Sequence, residues 1–139
     1  MNAVKTLRLL IACEALAIAL TLGADALTQG ALPASLQAYL AEVETIELTP
    51  GSTALSLLAI GAIVTLVVAW IGLWRLWRPA RAIYTGAAVA AAGTALFTGP
   101  VVSSGVANTI GDVASITSGM ILGLLYFSEV RQHFGGPSA

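Results

Sequence analysis

Two carboxylates lie inside long apolar stretches of the sequence and are the residues best suited to chemistry. Glu14 lies in the first stretch and Asp112 in the last. An ionisable side chain inside a membrane costs at least about 2.5 kcal/mol on insertion scales, so its presence is a functional hypothesis by default. Glu14 and Asp112 can act as successive stations of a proton or solute path. The alternatives are structural carboxyls, neutralised by protonation and hydrogen-bonded to neighbours, or a pocket for a lipid-like molecule.

Other polar residues share helical faces with these two carboxylates. At 100° per residue, Thr21 and Asp25 fall on the same face as Glu14, while Asn108 and Ser115 fall in line with Asp112. The rise of 1.5 Å per residue separates the two carboxyls by about 10 Å in depth, too far to share a proton directly. The predicted polar site consists of Glu14, Thr21, Asp25, Asn108, Asp112 and Ser115, with Asp25 at its outer mouth.

Four apolar segments are long enough to hold these residues in membrane-spanning helices. A spanning helix needs roughly 20 mainly apolar residues, and the segments that meet this length are about 7–27, 54–76, 82–102 and 106–127. We expect one all-α integral membrane domain over residues 1–139. Its predicted architecture is an antiparallel four-helix transmembrane bundle with the small or polar face of each helix turned inward.

Composition excludes several other classes of protein. The chain has 58% hydrophobic and 9% charged residues, whereas a soluble domain averages about 25% charged residues. A net charge of −1 provides no basic surface for nucleic acid. The single cysteine and the single histidine exclude a disulfide scaffold, a zinc site and bis-histidine haem ligation within the chain. Hydrolase, metalloprotease and phosphate-loop motifs are missing, so we expect neither an enzyme nor a cofactor.

The first apolar segment has an alternative interpretation as a cleaved signal peptide. Lys5 and Arg8 precede it, and the A-x-A pattern Ala24-Asp25-Ala26 ends it. However, Glu14 interrupts the apolar stretch, which is also long enough to span a bilayer. We therefore expect this segment to stay in the protein as a helix.

The positions of the cations predict one orientation. Short loops rich in Lys and Arg stay on the cytoplasmic side, and all the cations fall on one side of the predicted bundle: Lys5, Arg8, Arg75, Arg78, Arg81 and Arg131. Both termini are therefore expected in the cytoplasm, and the outer loop at 28–53 carries three glutamates.

That outer loop has a helical pattern of its own. Apolar residues recur at helical spacing around Pro33, namely Leu32, Leu36, Tyr39, Leu40 and Val43. The pattern predicts a short amphipathic helix lying on the outer membrane surface.

Aromatic and cationic residues cluster at the other end of the second span. Trp70, Trp74 and Trp77 share a helical face, and Arg75, Arg78 and Arg81 surround the following link. We expect the tryptophans to face outward as an interfacial anchor, with the arginines at the lipid headgroups. A docking surface for a partner protein or lipid is the alternative.

The last span carries a ladder of small residues every four positions: Ala107, Gly111, Ser115, Gly119 and Gly123. Such a ladder allows helices to approach closely. It predicts packing, and the helix it packs against can belong to this chain, to a second copy or to another membrane protein.

Two resemblances to known families accompany these patterns. A glutamate in the first of four short helices, here Glu14, resembles the small multidrug resistance transporters, in which such a residue exchanges protons for cationic drugs. The one-sided cations and the long loop at 28–53 differ from that family. The segments 77–84, 98–102 and 123–128 are similar to small uncharacterised bacterial inner-membrane proteins with four helices. This second resemblance implies the topology and a bacterial inner-membrane location, and it implies no activity.

The sequence therefore predicts a non-enzymatic integral membrane protein of the bacterial inner membrane, acting as an accessory, scaffold or interaction subunit. Its expected partners are the lipid bilayer and another membrane protein or a second copy of itself, and not nucleic acid. The alternative function is a small proton- or solute-coupled transporter that uses Glu14 and Asp112.

Overall fold

The computed structural model describes residues 3–28, 33–38, 50–95 and 103–134. Over these ranges the longer helices are α1 (Ala3–Thr28), α2 (Pro50–Trp74), α3 (Ala80–Ala95) and α4 (Gly105–Phe127), followed by the short α5 (Val130–His133). The same ranges contain no β-strand. The predicted all-α class is therefore confirmed for the described residues.

Two of the helices are long and apolar enough to cross a membrane. They are Ala3–Ala24 within α1 and Gly105–Phe127, which is α4. A shorter apolar helix, Ile60–Trp74, lies within α2. Length and composition thus support a membrane location for a helical protein.

Helix boundaries agree with the predicted segments to within a few residues at most ends. α1 begins four residues before the predicted start at 7, and α3 begins at Ala80 instead of 82. The short α5 was not predicted. Of the expected amphipathic helix, a helical turn at 34–38 is described, in which the Leu36 and Gln37 amides donate to the Pro33 carbonyl. The remainder of that prediction, at 39–49, lies outside the described residues.

A tight turn connects α2 to α3. Leu76 adopts a positive φ of 57°, its amide donates to the Leu73 carbonyl, and the Trp77 amide donates to the Gly72 carbonyl at 2.8 Å. These two bonds form a Schellman motif, which satisfies the last carbonyls of a helix. Gly72 allows the end of α2 to lie close to the beginning of α3, because a Cβ atom at this position would lie 2.6 Å from the Cβ of Ala80.

The buried core lies at the end of the molecule where α1 and α3 begin and α2 and α4 end. α1 packs mainly along α4, and α2 packs mainly along α3. The largest fully buried side chains are Leu7, Leu73, Tyr84, Ile121, Leu125 and Val130. Each of α1 to α5 contributes to this cluster, so it joins the two helix pairs into one structure.

The expectation that the small and polar faces turn inward is wrong for most of these helices. Gly61 and Thr65 on α2 and Gly86 on α3 are exposed. On α4 the buried residues are Ala107, Ala114, Thr117, Ile121 and Leu125. That buried face lies roughly two fifths of a turn from the line through Asn108 and Asp112. The physical reason is that aliphatic side chains of α4 fill the core against Leu7 and Ile11, and a larger apolar area is buried in this way.

Candidate functional site

Glu14 forms the centre of a buried polar cluster that joins four helices. Its side chain is 3% exposed. The indole Nε1 of Trp70 donates to Glu14 Oε2 at 2.7 Å, and the Tyr84 hydroxyl donates to Glu14 Oε1 at 2.6 Å. The Tyr84 hydroxyl also lies 2.8 Å from Ser118 Oγ. We call these four residues, from α1, α2, α3 and α4, the Glu14 cluster.

The donors in this cluster are uncharged. Among the described residues, no hydrogen bond or ion pair connects Glu14 to a lysine or arginine. Each carboxyl oxygen nevertheless has a short hydrogen bond from a side chain of another helix. Because a buried polar group without a partner costs about 1–3 kcal/mol, the cluster stabilises the arrangement of α1 relative to α2 and α3.

The Tyr84 hydroxyl allows two directions of hydrogen bonding. In one, Ser118 donates to Tyr84 and Tyr84 donates to an ionised Glu14. In the other, a protonated Glu14 donates to Tyr84 and Tyr84 donates to Ser118. Both are possible because a hydroxyl group donates one hydrogen bond and accepts others. The cluster therefore accommodates Glu14 with or without its proton, and the donor direction reverses between the two states.

A cavity of about 290 Å³ adjoins the cluster at Ser118. Its lining is mainly alanine and aliphatic side chains from all four long helices, including Ile18, Leu66, Ala88 and Ala114. The hydroxyl-bearing lining residues are Ser115 and Ser118. The chain from Glu14 through Tyr84 thus ends at the wall of an apolar cavity.

The structure separates the two carboxylates that the sequence singled out. Asp112 is exposed on α4, whereas Glu14 is buried among four helices. Ser115 lies at the cavity and donates to the carbonyl of Gly111 in its own helix. Thr21 donates to the Ala17 carbonyl of α1 at 2.9 Å. Asp25 belongs to α1, and its side chain lies outside the described part of the chain.

Trp70 was predicted to face outward with Trp74 and Trp77, and this is wrong. Its ring is half-buried and its Nε1 reaches Glu14. Trp74 and Trp77 are 45% and 52% exposed, as expected. Trp77 lies beyond the end of α2 at Trp74 and after the positive-φ residue Leu76, so helical spacing does not place it on the face of Trp70 and Trp74. Trp70 lies where α2 meets Glu14 of α1, and its indole turns toward that carboxyl.

Sequence reasoning missed Trp70, Tyr84 and Ser118 as members of the cluster. Trp70 and Tyr84 had a usable signal, since a buried tyrosine or tryptophan usually finds a hydrogen-bond partner. Helical periodicity places residues on a face of one helix, but it does not say which faces of different helices meet.

The arginines at the core end of the molecule contact aromatic rings. Arg8 lies 5.7 Å from the ring centre of Trp74 and donates to the Trp74 carbonyl. Arg81 lies 4.9 Å from the ring centre of Tyr126. Such contacts between a cation and an aromatic face are attractive, and they hold the beginnings of α1 and α3 against the ends of α2 and α4.

The polar line of α4 is exposed along the described helix. Exposed residues on it are Asn108, Asp112, Ser115, Gly119 and Tyr126, which we call the α4 polar stripe. Asn108 Oδ1 accepts a hydrogen bond from Ser103 Oγ at 3.0 Å. The two N–H groups of the Asn108 side-chain amide point away from its Oδ1 and therefore away from Ser103. Asp112 lies one helical turn further along α4.

Among the described residues, no group of three or more histidine, cysteine or acidic side chains is placed to hold a metal ion. No protein family, curated protein or solved structure matches this chain.

Proposed function

We propose that this chain is a four-span protein of the bacterial inner membrane, with both termini in the cytoplasm, that acts as a non-enzymatic interaction subunit and associates through the α4 polar stripe. The observation that carries the proposal is the exposure of Asp112 and Asn108 on a helix apolar enough to span a bilayer. Facing lipid, an aspartate costs at least about 2.5 kcal/mol. A partner that covers the stripe removes this cost.

The surface of the helices supports a membrane environment. In the apolar stretches that are long enough to span a membrane, 22% of the residues are buried in α1 and 17% in α4. A core helix of a soluble protein is mostly buried, so the exposed apolar side chains of these helices fit lipid better than water. α2 is 25 residues long, which exceeds the roughly 20 residues that a span requires. α3 covers most of the predicted third span.

The contacts of the arginines support the proposed orientation. Arg8 touches the end of α2, and Arg78 Nε donates to the carbonyl of Phe134. The cation-bearing segments thus meet at one end of the molecule. By the positive-inside rule, that end faces the cytoplasm. Because Leu7, Ile11 and Glu14 of α1 belong to the packed interior, we also propose that α1 is retained and not cleaved as a signal peptide.

The proposed partner is a second copy of the chain in the same orientation. In a twofold dimer each residue pair occurs twice, so the Asn108 amide of one copy can donate to the Asp112 carboxyl of the other, and the reverse. Gly119, which is exposed on this line with nothing of its own chain within 4 Å of a Cβ added there, permits the near approach of a second backbone. The stripe therefore offers donors, acceptors and small residues on one surface.

Disulfide cross-linking in native membranes tests this association. Cys13, which is exposed, is first replaced by Ala, and single cysteines are then introduced as Ser115→Cys and Gly119→Cys. Val113→Cys and Met120→Cys are matched controls, because both positions are 52% exposed on the other side of α4. We expect cross-linked dimers from the two stripe positions. Equal cross-linking from all four positions, or none from the stripe, would contradict the proposal.

A second candidate function, proton-coupled transport of a small solute, is favoured by the cavity next to the Glu14 cluster. The version with Glu14 and Asp112 as successive stations loses support, because the two groups occupy different surroundings. A version with Glu14 alone as the proton-binding group keeps the Tyr84–Ser118 chain and the adjoining cavity.

Proton flux into vesicles containing the purified protein tests this second function. Flux that disappears in Glu14→Gln while Asp112→Asn retains it would support transport through Glu14. The same flux in both variants and in the unmodified protein, with folding intact, would exclude this role.

A further inference from the structure

A groove of about 940 Å³ lies where α2 turns into α3 and is closed on one side by the end of α5. The lining residues that matter here are Val68, Ile71, Arg75, Trp77, Arg78 and His133. On α2, Val68 and Ile71 precede Arg75 by seven and four residues, so the three share a helical face. The groove is therefore apolar along α2 and cationic at the turn.

The cationic end of the groove has guanidinium N–H groups that are available to bind an anion. Arg75 is exposed, and its guanidinium makes no hydrogen bond or ion pair with any described residue. Arg78 is oriented by one bond, from its Nε to the Phe134 carbonyl at 3.0 Å. Among the described residues, no carboxylate lines the groove. Glu129, the acidic residue of the same end, is exposed and contacts His133 through its backbone carbonyl.

Charge and shape together select one occupant. A guanidinium matches the geometry of a phosphate group, with several N–H donors in a fixed plane. The adjacent apolar face of Val68 and Ile71 suits an acyl chain, and exposed Trp77 beside it is a residue type found at the level of lipid headgroups. A free phosphate would use only the cationic end, whereas a phospholipid would use both ends.

We propose that this groove is a binding site for an anionic phospholipid of the cytoplasmic leaflet, with its phosphate between Arg75 and Arg78 and an acyl chain along Val68 and Ile71. This proposal depends on the proposed membrane location, but not on dimerisation. Anionic lipids concentrate on the cytoplasmic side of the membrane, where they attract clustered Lys and Arg residues. The site would fix the depth and rotation of the α2–α3 turn in the bilayer.

Native mass spectrometry of the full chain in non-ionic detergent tests the site. The protein is mixed with equal amounts of phosphatidylglycerol and phosphatidylcholine, and the retained lipid is counted. We expect phosphatidylglycerol to be retained at least tenfold over phosphatidylcholine. Arg75→Gln should lose this preference, and its fold should survive because Arg75 has no partner within the described chain. Arg131→Gln, which removes an exposed cation outside the groove lining, should keep the preference.

Two further arms complete the test. Val68→Trp fills the apolar part and leaves the charges, so it should also reduce retention of phosphatidylglycerol. Inorganic phosphate at a hundredfold excess should not displace the lipid. Equal retention of the two lipids, unchanged retention in Arg75→Gln, or displacement by phosphate would each overturn the proposal. A protein that needs no detergent would instead contradict the membrane location, and absent cross-links with normal lipid retention would contradict only the dimer.

Discussion

Glu14 and Asp112 have the same chemical group and opposite surroundings. Glu14 is buried, and each of its carboxyl oxygens accepts a hydrogen bond from a different helix. Asp112 is exposed on the α4 polar stripe. Both occur in apolar sequence, so the difference comes entirely from which helix faces meet. The buried carboxyl connects helices within the chain, and the exposed one is available to a partner.

The largest expected effect is that of removing the Glu14 carboxyl. Glu14→Ala leaves the Trp70 N–H without its acceptor, leaves the Tyr84 hydroxyl with Ser118 as its remaining partner, and empties the buried space of the Glu14 side chain. A buried unsatisfied group alone costs about 1–3 kcal/mol. We expect the free energy of unfolding in detergent to fall by about 3 kcal/mol. Thermal or denaturant unfolding followed by circular dichroism measures it. A loss below about 1 kcal/mol would show that the Glu14 cluster does not hold the helices together.

A smaller loss is expected from Gly72→Ala, which tests the packed end without touching a polar group. The added Cβ would lie 2.6 Å from the Cβ of Ala80, and overpacking of this kind typically costs about 1–3 kcal/mol. Gly86→Ala on exposed α3 is the matched control, because nothing lies within 4 Å of its new Cβ. The control should gain roughly 0.5–1 kcal/mol from helix propensity. The same unfolding assay serves both variants, and a harmless Gly72→Ala would refute the close turn.

Tyr84→Phe should weaken the cluster less than loss of Glu14 does. The ring stays in the core, while Glu14 Oε1 loses its donor and Ser118 loses its partner. We expect a loss of about 1–2 kcal/mol in the free energy of unfolding. Fluorescence of Trp70, measured with Trp74 and Trp77 replaced by Phe so that Trp70 is the emitting tryptophan, supplies a second readout, since its indole donates to the other oxygen of the same carboxyl. An emission spectrum identical to that of the same protein with Tyr84 intact, with no loss of stability, would contradict the coupling.

The smallest effect on the protomer is expected from Asp112→Ala. An exposed side chain without an intramolecular role usually changes stability by less than about 0.5 kcal/mol. Unfolding should therefore be measured at high detergent-to-protein ratio, where copies are separated. A loss comparable to that of Glu14→Ala would show that Asp112 also belongs to the interior, and the contrast between the two carboxylates would disappear.

The sequence predicted the helices better than it predicted their neighbours. The apolar runs and Pro79 located the α2–α3 link within two residues, because length and breakers are properties of a continuous chain. Trp70 was misplaced because its face borders both α1 and the outside. The α4 polar stripe was expected inward, yet Ile121 and Leu125 occupy the core instead. Such choices depend on the total area that several helices bury together, which the periodicity of one helix does not contain.

In the Glu14 cluster too, the sequence identified a residue within one helix but not its partners on the other helices. Glu14 was singled out correctly as an unusual buried polar residue, since a carboxyl in apolar sequence needs partners. Tyr84 lies 70 positions further along the chain and donates to Glu14, and Ser118, 104 positions further along, contacts the Tyr84 hydroxyl. These contacts follow from how the helices pack together, which brings Tyr84 to the carboxyl and Ser118 to Tyr84.

Sedimentation equilibrium in detergent, comparing the unmodified chain with Asp112→Ala, tests whether the exposed Asp112 carboxyl joins two copies. We expect the unmodified chain to sediment as a dimer at micromolar concentration. Asp112→Ala should sediment as a monomer with an unchanged helical circular dichroism spectrum. A dimer that persists in Asp112→Ala, or an unmodified chain that is monomeric at every concentration, would contradict the role of the exposed carboxyl as the contact between copies.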